Sequence, residues 1–254
     1  EKTRIPVVGV VPMIQADIEE EDSISERLRE DGEKAKPGIL DIAVIRLPRI
    51  SNYTDMAPLE SRPCAGVRYV SGARQLKEPD LVILPGSKNT MEDLRWLRMS
   101  GLEASILKLA GKGVPVFGIC GGYQMMGEEL EDPCGVEAGG SMRGMGLLPM
   151  RTVFGRSKVT TRTDGQTEQL EGFWKALSGR SYEGYEIHMG DTETSPELAE
   201  VQVMARRGDR VLGICRGNAA GTYIHGIFDS REMSDAILEK LAAAKGITLE
   251  AVGE

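Results

Sequence analysis

One cysteine of the sequence lies in a glycine-rich motif whose spacing is typical of a nucleophile. Residues 114–127 read VPVFGICGGYQMMG. After an apolar run, Gly118, Cys120 and Gly122 have the G-x-C-x-G spacing of a nucleophile elbow, and a helix is predicted over Tyr123–Leu130. Glycines suit this sharp turn because they leave room beside the nucleophile and adopt backbone angles that other residues resist. The N-terminus of the following helix favours a thiolate. The motif therefore predicts a nucleophilic Cys120, against the alternative of a buried cysteine beside glycines that only allow strand–helix packing.

A thiol nucleophile normally needs a base, and the chain contains two histidines. His225 lies in GTYIHGIFDS (221–230), and His188 lies in GYEIHMGDT (184–192) after a short β-like run. Parallel strands place their carboxyl ends on one edge of a sheet, so His225 is predicted to reach Cys120. Either histidine could instead be a hydrogen-bonded structural residue.

Acyl transfer also needs N–H donors aimed at the developing oxyanion. Gly121, the residue after the nucleophile, is one candidate. The second donor should come from a loop on the same edge of the sheet. The run LVIL (81–84) is followed by Pro-Gly-Ser, a sharp turn that could offer the N–H of Gly86 or of Ser87.

The composition limits the class of protein. The chain has 254 residues, 41% of them hydrophobic, which allows a sizeable core in one large domain or in a domain plus a piece of another. The net charge of −8 disfavours nucleic acid or an anionic membrane as the main partner. No apolar run approaches the roughly 20 residues of a membrane span. The chain begins without Met and without a signal-peptide pattern, so we expect a piece of a longer cytoplasmic protein.

The other three cysteines, Cys64, Cys134 and Cys215, lie outside any elbow and indicate ordinary packing or surface thiols. No CxxC pair occurs and histidines are few, so a zinc site is not expected. Four cysteines in a chain of this length do not make a disulfide framework and favour the reducing cytoplasm. We expect no metal and no cofactor on this chain.

The order of predicted elements indicates an α/β protein. Strands are predicted at Ile39–Arg46, Leu81–Leu84 and Val114–Ile119. The apolar spacing over Thr90–Ala110 favours an amphipathic helix interrupted near Gly101. Alternation of strand and helix implies parallel strands with right-handed crossovers.

The second half of the chain is richer in β patterns. Val153–Asp191 is predicted to be β-rich and irregular, and Val201–Cys215 to form a hairpin that turns at Arg207–Asp209. Thr222–His225 is predicted as the last core strand, and Ser230–Lys245 as a closing helix with one apolar face.

The amino-terminal stretch is predicted to lie outside this domain. A short strand is expected at Pro6–Val11, followed by the acidic segment 17–36, which is typical of a solvated helix or linker. A Pro-Gly pair at 37–38 punctuates it. We therefore divide the chain into a tail or linker at 1–38 and a domain at 39–254.

Several motifs together resemble a known family. The segments GICGGYQMMG, LPGSKNT and YIHG resemble class I glutamine amidotransferases, which carry a Cys–His glutaminase site on a flavodoxin-like α/β fold. The resemblance is closer to the carboxyl-terminal half of the cobyric acid synthase family. It rests on VIRLPRISNYTDMAPLE (44–60), LVILPGSKNTMEDLRWLR (81–98), GYEIHMG (184–190) and GTYIHGIFD (221–229), and it spans nearly the whole chain in order.

The resemblance implies roles for individual residues. It places the nucleophile on Cys120 and the base on His225. It places the oxyanion donors on the backbone of Gly121 and of Gly86 or Ser87. It also implies that Gln124 helps to line the glutamine site, in a mostly parallel sheet with helices on both faces.

One position departs from the pattern of the family. Many class I members have a glutamate two residues after the catalytic histidine, and here that position is Ile227. The carboxylate that orients the base is therefore open between Asp229, Asp55 and Glu186, or the site works as a Cys–His dyad. His188 either contacts the substrate or is structural.

The resemblance also implies partners. In this family glutamine-derived ammonia and ATP are used to amidate carboxylates of a corrin ring in cobalamin biosynthesis. No P-loop of the form GxxxxGK[ST] occurs here, so ATP and Mg²⁺ are expected on an amino-terminal synthetase domain, of which 1–38 would be the last piece. The alternatives are a glutaminase domain that serves cobyrinic acid a,c-diamide synthesis or cell-wall precursor amidation, and a non-catalytic docking domain.

Overall fold

The computed structural model describes residues 39–194 and 200–249. The strand predicted at Pro6–Val11, the acidic segment 17–36 and the whole proposed tail 1–38 lie outside the described residues. Within the described ranges, no helix is both long enough and apolar enough to cross a membrane.

Thirteen strands and six α-helices are present in the described ranges, with two 3₁₀ helices at Tyr53–Met56 and Gly172–Leu177. The strands are β1 Leu40–Ile45, β2 Ile50–Ser51, β3 Ala65–Val70, β4 Leu81–Leu84, β5 Gly86–Ser87, β6 Val116–Ile119, β7 Glu129–Asp132, β8 Gly140–Arg143, β9 Met150–Gln166, β10 Ser181–Thr194, β11 Val201–Arg207, β12 Arg210–Arg216 and β13 Ala219–Thr222. The helices are α1 Ala57–Glu60, α2 Ala73–Leu76, α3 Thr90–Met99, α4 Leu102–Gly111, α5 Gly121–Met125 and α6 Arg231–Lys245.

The main sheet has seven strands in the order β11-β12-β13-β6-β4-β1-β3. The five strands from β13 to β3 are parallel, and β12 and β11 extend the sheet antiparallel. Side chains of a strand alternate between the two faces. Leu81 and Ile83 of β4 therefore pack on the face that α6 covers, and Val82 and Leu84 pack against α3 and α4. The predicted fold class, a mostly parallel sheet with helices on both faces, is confirmed.

A second sheet of four strands, in the order β10-β9-β7-β8, lies outside this layered core. Most of it falls in the region predicted to be β-rich and irregular, which forms two long antiparallel strands, β9 and β10. Their register shifts between Met189 and Asp191, at Gly190 with φ 87°. β10 is the outermost strand of this sheet, and that position matters for the site described below.

The interrupted helix predicted near Gly101 is confirmed, because α3 and α4 meet at that residue. The hairpin of β11 and β12, which turns after Arg207, is also confirmed. The closing helix begins at Arg231, with Ser230 as its N-cap residue. The sequence analysis missed β3, which pairs with β1 at an edge of the sheet.

Two predicted boundaries were wrong. The helix predicted at Tyr123–Leu130 ends at Met125, because the backbone beyond it pairs with β9: the N–H of Glu128 donates to the carbonyl of Met150 at 2.7 Å. The last parallel strand lies at Ala219–Thr222, not at Thr222–His225. Its small side chains fit beneath the Tyr123 ring, which a Cβ at Gly221 would overlap.

Candidate active site

Cys120 occupies the turn between β6 and α5. Its backbone has φ 51° and ψ −109°, a conformation that a residue with a side chain adopts only under strain. Its N–H donates to Thr222 at 2.8 Å and its carbonyl accepts from Gln124 at 3.0 Å, so both neighbours hold the turn in place. The residue is buried, with 5% of its surface exposed. The elbow is this sharp because β6 ends at Ile119 and α5 begins at Gly121, which leaves Cys120 alone to reverse the chain.

The glycines of the motif are explained by how closely α5 approaches the end of β4. A Cβ at Gly122 would overlap the carbonyl of Leu84. A Cβ at Gly121 would lie 2.9 Å from the backbone nitrogen of Ser87. The elbow therefore lies against the loop that follows β4, as an oxyanion site requires.

His225 lies three residues beyond the end of β13, and its side chain is fully buried. Its Nδ1 is 2.8 Å from Oδ2 of Asp55, whose Oδ1 accepts the backbone N–H of Gly226 at 2.8 Å. Asp55 sits in the 3₁₀ helix Tyr53–Met56, which begins after Asn52 in the left-handed conformation at φ 52°. Both carboxylate oxygens are thus used to hold the imidazole and its loop.

The protonation of this imidazole is coupled to Cys120. Burial acts to lower the pKa of His225, but the negative charge of Cys120 and the hydrogen bond and charge of Asp55 outweigh it and raise the pKa to about 10. Nε2 of His225 is buried, and within the described residues the group that acts on it is the Cys120 side chain. The ring therefore turns Nδ1 to Asp55 and leaves Nε2 for proton exchange with Cys120.

The loop after β4 can supply the second oxyanion donor. β5 pairs with β2 in antiparallel register, Ile50 opposite Ser87, and the N–H of Lys88 donates to Arg49 at 2.9 Å. Hydrogen-bonded pairs alternate in antiparallel ladders, so the Ser87 N–H points away from β2. On that side lies Gly121, on which an added Cβ would come within 2.9 Å of the Ser87 nitrogen. Of the two predicted alternatives, this geometry favours Ser87 over Gly86, which lies against the ring of His225.

The predicted glutamine-lining residue, Gln124, is buried and its amide is satisfied by the protein. Its Nε2 donates to the carbonyl of Met189 at 3.0 Å and to the hydroxyl of Tyr223 at 3.2 Å. Its Oε1 accepts from the hydroxyl of Thr90 at 3.0 Å. Gln124 thus ties α5, α3 and β10 together at the site.

The outer edge of β10 forms one wall of the site. The backbone of Tyr185 exchanges two hydrogen bonds with His225, at 3.1 and 2.8 Å, and the Tyr185 ring stacks on the imidazole. The Cys120 thiol donates to the carbonyl of Ile187 at 3.5 Å. The Asn52 amide donates to the Tyr185 hydroxyl at 2.6 Å.

Glu186, one of the three carboxylates proposed to orient the base, is placed in a different cluster. Glu186 is fully buried and faces Arg207 at 3.2 Å, Arg210 at 3.3 Å and His188 at 3.4 Å. Burial would raise the pKa of Glu186, but the hydrogen bond from His188 and the two arginine charges outweigh it and lower the pKa. Asp229 closes the turn after the base, where its N–H donates to Gly226 at 2.9 Å.

His188 is held by protein groups on two sides. It lies 3.1 Å from Nη2 of Arg210, and its ring stacks on Tyr223 with centroids 3.8 Å apart. The structure brings it into contact with the residues around Gln124 but not with His225. Sequence reasoning missed Asn52, Thr90 and Tyr185, although the first two lie in the quoted NYTD and SKNT segments and Tyr185 in GYEIHMG.

The other cysteines are placed away from this geometry. Cys134 is exposed, and Cys64 is partly buried beside Arg62, where burial raises its pKa. Cys215 is buried in the core, which raises its pKa to about 12. In the ranges that the structure describes, no three His, Cys, Asp or Glu side chains come together to hold a metal ion.

Solved structures share the fold. A crystal structure of a glutamine amidotransferase aligns with 80% of this chain and 98% of its own at a TM-score of 0.59 and 19% identity. The PurLQS structure from Thermotoga maritima aligns with 79% of this chain and 98% of its own, at a TM-score of 0.60 and 20% identity. The architecture is therefore that of the class I glutamine amidotransferases.

The sequence defines the family more narrowly. Residues 41–233 match the CobB/CobQ-like glutamine amidotransferase domain. A cobyric acid synthase from Ruminiclostridium cellulolyticum is 50% identical over 97% of this chain and 48% of its own length. One from Yersinia enterocolitica is 45% identical over 96% of this chain and 49% of its own. The chain belongs to the CobB/CobQ-like glutamine amidotransferase family, and it spans about half the length of the curated relatives it matches.

Proposed function

We propose that this chain is the glutaminase part of a cobyric acid synthase, in which Cys120 attacks glutamine and His225 transfers the proton. One observation carries the proposal: a strained elbow cysteine lies beside a buried imidazole whose far nitrogen is held by Asp55 at 2.8 Å. A nucleophile, a base and a carboxylate that orients the base form the arrangement used in nucleophilic acyl transfer.

The first half of the reaction forms a thioester. The Cys120 sulfur, having given its proton to His225, bonds to the carboxamide carbon of glutamine, and the carbonyl π electrons move to oxygen. The backbone N–H groups of Gly121 and Ser87 stabilise that oxyanion, each by roughly 3 kcal/mol in comparable sites. The imidazolium then protonates the nitrogen, the C–N bond breaks and ammonia leaves.

The second half regenerates the enzyme. A water molecule gives a proton to His225 and its oxygen attacks the thioester carbon. The C–S bond then breaks, the sulfur regains its proton and glutamate leaves. Asp55 keeps Nδ1 of the ring protonated throughout, so that Nε2 is the nitrogen that exchanges protons with Cys120 and with water.

The fate of the ammonia is proposed from the relatives. Since the matched relatives are cobyric acid synthases of about twice this length, we propose that an amino-terminal synthetase domain uses ATP and Mg²⁺ to activate corrin carboxylates, which the ammonia then amidates. Residues 1–38 would be the end of that domain. Four free cysteines are in keeping with the cytoplasm, where we place the protein.

The proposal is tested by glutaminase assays on the chain alone and joined to the synthetase half. Cys120→Ala should abolish glutamate release and labelling by a glutamine-mimicking electrophile, whereas Cys64→Ala, a matched control, should retain both. Labelling that persists in Cys120→Ala would contradict the assignment. A folded wild-type sample that is inactive in both forms would instead indicate a docking domain.

The acceptor is tested separately by product analysis. With the synthetase half present, glutamine and ATP should convert a corrin that already carries the a,c-diamide into more highly amidated products. Amidation confined to the a and c positions, or of a cell-wall precursor, would assign the chain to a related amidase-ligase.

A further inference from the structure

We propose that the backbone carbonyl of Ile187, on the free edge of β10, recognises the carboxamide group of glutamine, and that Glu186 positions this carbonyl through Arg207 and Arg210. The inference rests on the proposed glutaminase function. It adds a specificity determinant that lies outside the Cys120, His225 and Asp55 set.

The edge of β10 presents its backbone to the site at every second residue. In an antiparallel strand, the N–H and C=O groups of alternate residues point to the same side. Tyr185 uses its outward groups to pair with His225, and the outward carbonyl of Met189 accepts from Gln124. Ile187 lies between them, and its carbonyl is 3.5 Å from the Cys120 sulfur. Three consecutive outward positions of one strand therefore meet three different residues of the site.

The hydrogen bonding at the Ile187 carbonyl depends on whether the Cys120 proton lies on sulfur or on His225. While Cys120 carries its proton, the thiol donates a hydrogen bond to the Ile187 carbonyl. Once the thiol has given its proton to His225, the carbonyl oxygen faces a thiolate and lacks a donor, which is costly in a buried site. The –NH₂ of the glutamine carboxamide, bonded to the carbon under attack, is a donor that can take the place of the lost S–H.

The same geometry separates glutamine from its close analogues. Glutamate would set a carboxylate oxygen against the carbonyl and the thiolate, with no proton to share. A γ-ester of glutamate has the same electrophilic carbon but no N–H. A site built around a hydrogen bond to the substrate discriminates most strongly against an analogue that lacks that group.

The two residues that flank Ile187 fix its peptide groups in place. Glu186 lies 3.2 Å from Arg207 and 3.3 Å from Arg210, on the hairpin of β11 and β12. His188 lies 3.1 Å from the other guanidinium nitrogen of Arg210. Ile187 is thus held between two buried side chains that one arginine bridges. Neither Glu186 nor His188 contacts Asp55, so this cluster can be altered without removing a group that transfers the reacting proton.

The test compares two substrates in the full chain joined to the synthetase half. We expect Glu186→Gln to lower kcat/KM for L-glutamine roughly tenfold, about the value of one neutral hydrogen bond, and to leave kcat/KM for the γ-methyl ester of L-glutamate nearly unchanged. The matched control is Glu183→Gln, an exposed glutamate on the same strand, which should change neither value.

Two further results keep the test decisive. If Glu186→Gln does not fold, Arg210→Lys serves in its place, because a lysine keeps the charge but cannot bridge Glu186 and His188; the same selective loss on glutamine is expected. Equal losses on the amide and the ester would show a merely structural cluster, and no loss on either would also overturn the proposal. A wild-type chain without Cys120-dependent activity on either substrate would refute the glutaminase function itself.

Discussion

Asp55 and His225 are 170 residues apart in the chain, yet one carboxylate oxygen lies 2.8 Å from Nδ1 of the imidazole while the other accepts the next backbone N–H. The carboxylate therefore fixes both the tautomer of the ring and the loop that carries it. This contact crosses the sheet from the segment after β2 to the segment after β13, and it joins the two halves of the domain at the site.

Replacement of Asp55 by asparagine should lower kcat for glutamine on the order of 10²-fold. An asparagine amide that donates to Nδ1 would force the ring proton onto Nε2, which could then not accept the proton of Cys120. Steady-state glutaminase kinetics measure the effect. Asp229→Asn is the matched control and should change kcat far less; the reverse order would make Asp229 the residue that orients His225.

The imidazole of His225 should remain protonated well above the ordinary range for histidine. Its pKa is raised to about 10, against the effect of burial, by the charge of Cys120 and by Asp55. Cys120→Ala removes the first of these, so the pKa should fall. Titration by NMR with labelled histidine measures it, with the resonances identified through a His188→Gln sample. An unchanged pKa in Cys120→Ala would mean that sulfur and ring are not neighbours.

Gly122→Ala should destabilise the fold by roughly 2–4 kcal/mol, because the added methyl group would overlap the carbonyl of Leu84. Gly111→Ala is the matched control at the end of α4, where a Cβ would meet open space. It should be neutral or stabilise by up to about 1 kcal/mol. Chemical denaturation gives both values, and equal values would argue against the close approach of α5 to β4.

Gln124→Glu should destabilise the protein by roughly 1–3 kcal/mol, since it replaces two buried donated hydrogen bonds with a carboxylate oxygen that faces the Met189 carbonyl. Gln169→Glu makes the same change at an exposed position and should stay within about 0.5 kcal/mol of the wild type. Thermal or urea unfolding at neutral pH separates the two. A Gln124→Glu variant as stable as the control would show that the amide is not committed to the protein.

The parallel core was predictable because its signals are local. The apolar runs at Leu81–Leu84 and Val114–Ile119 and the break at Gly101 each follow from a few neighbouring residues. The four-stranded sheet was not predictable in this way. Its strands β9 and β10 carry mixed polar and apolar side chains, and their bounds are set by pairing with each other. The helix predicted through Leu130 failed for the same reason: pairing with β9 replaced local helix preference.

Site residues could be predicted from the sequence only where a single short motif indicates a single chemical role. The elbow glycines flag Cys120, and strand ends suggest His225 and the Ser87 loop. The sequence offered Asp55 as one of three candidates for the partner of the base but could not select it, because Asp55 reaches the ring through a left-handed turn at Asn52 that has no periodic sequence pattern. The role of the β10 edge in the site could not be predicted either, since its hydrogen bonds to the site come from backbone atoms and do not depend on side-chain identity.

The backbone conformation of Cys120 is unfavourable for any residue that carries a side chain. The residue that best suits φ 51° and ψ −109° is glycine, which has no sulfur. The residue that the proposed chemistry needs at position 120 is therefore not the residue that would be most stable there. A glycine at position 120 would relieve this backbone strain and should raise the free energy of unfolding. It would also remove the thiol on which the proposed reaction depends.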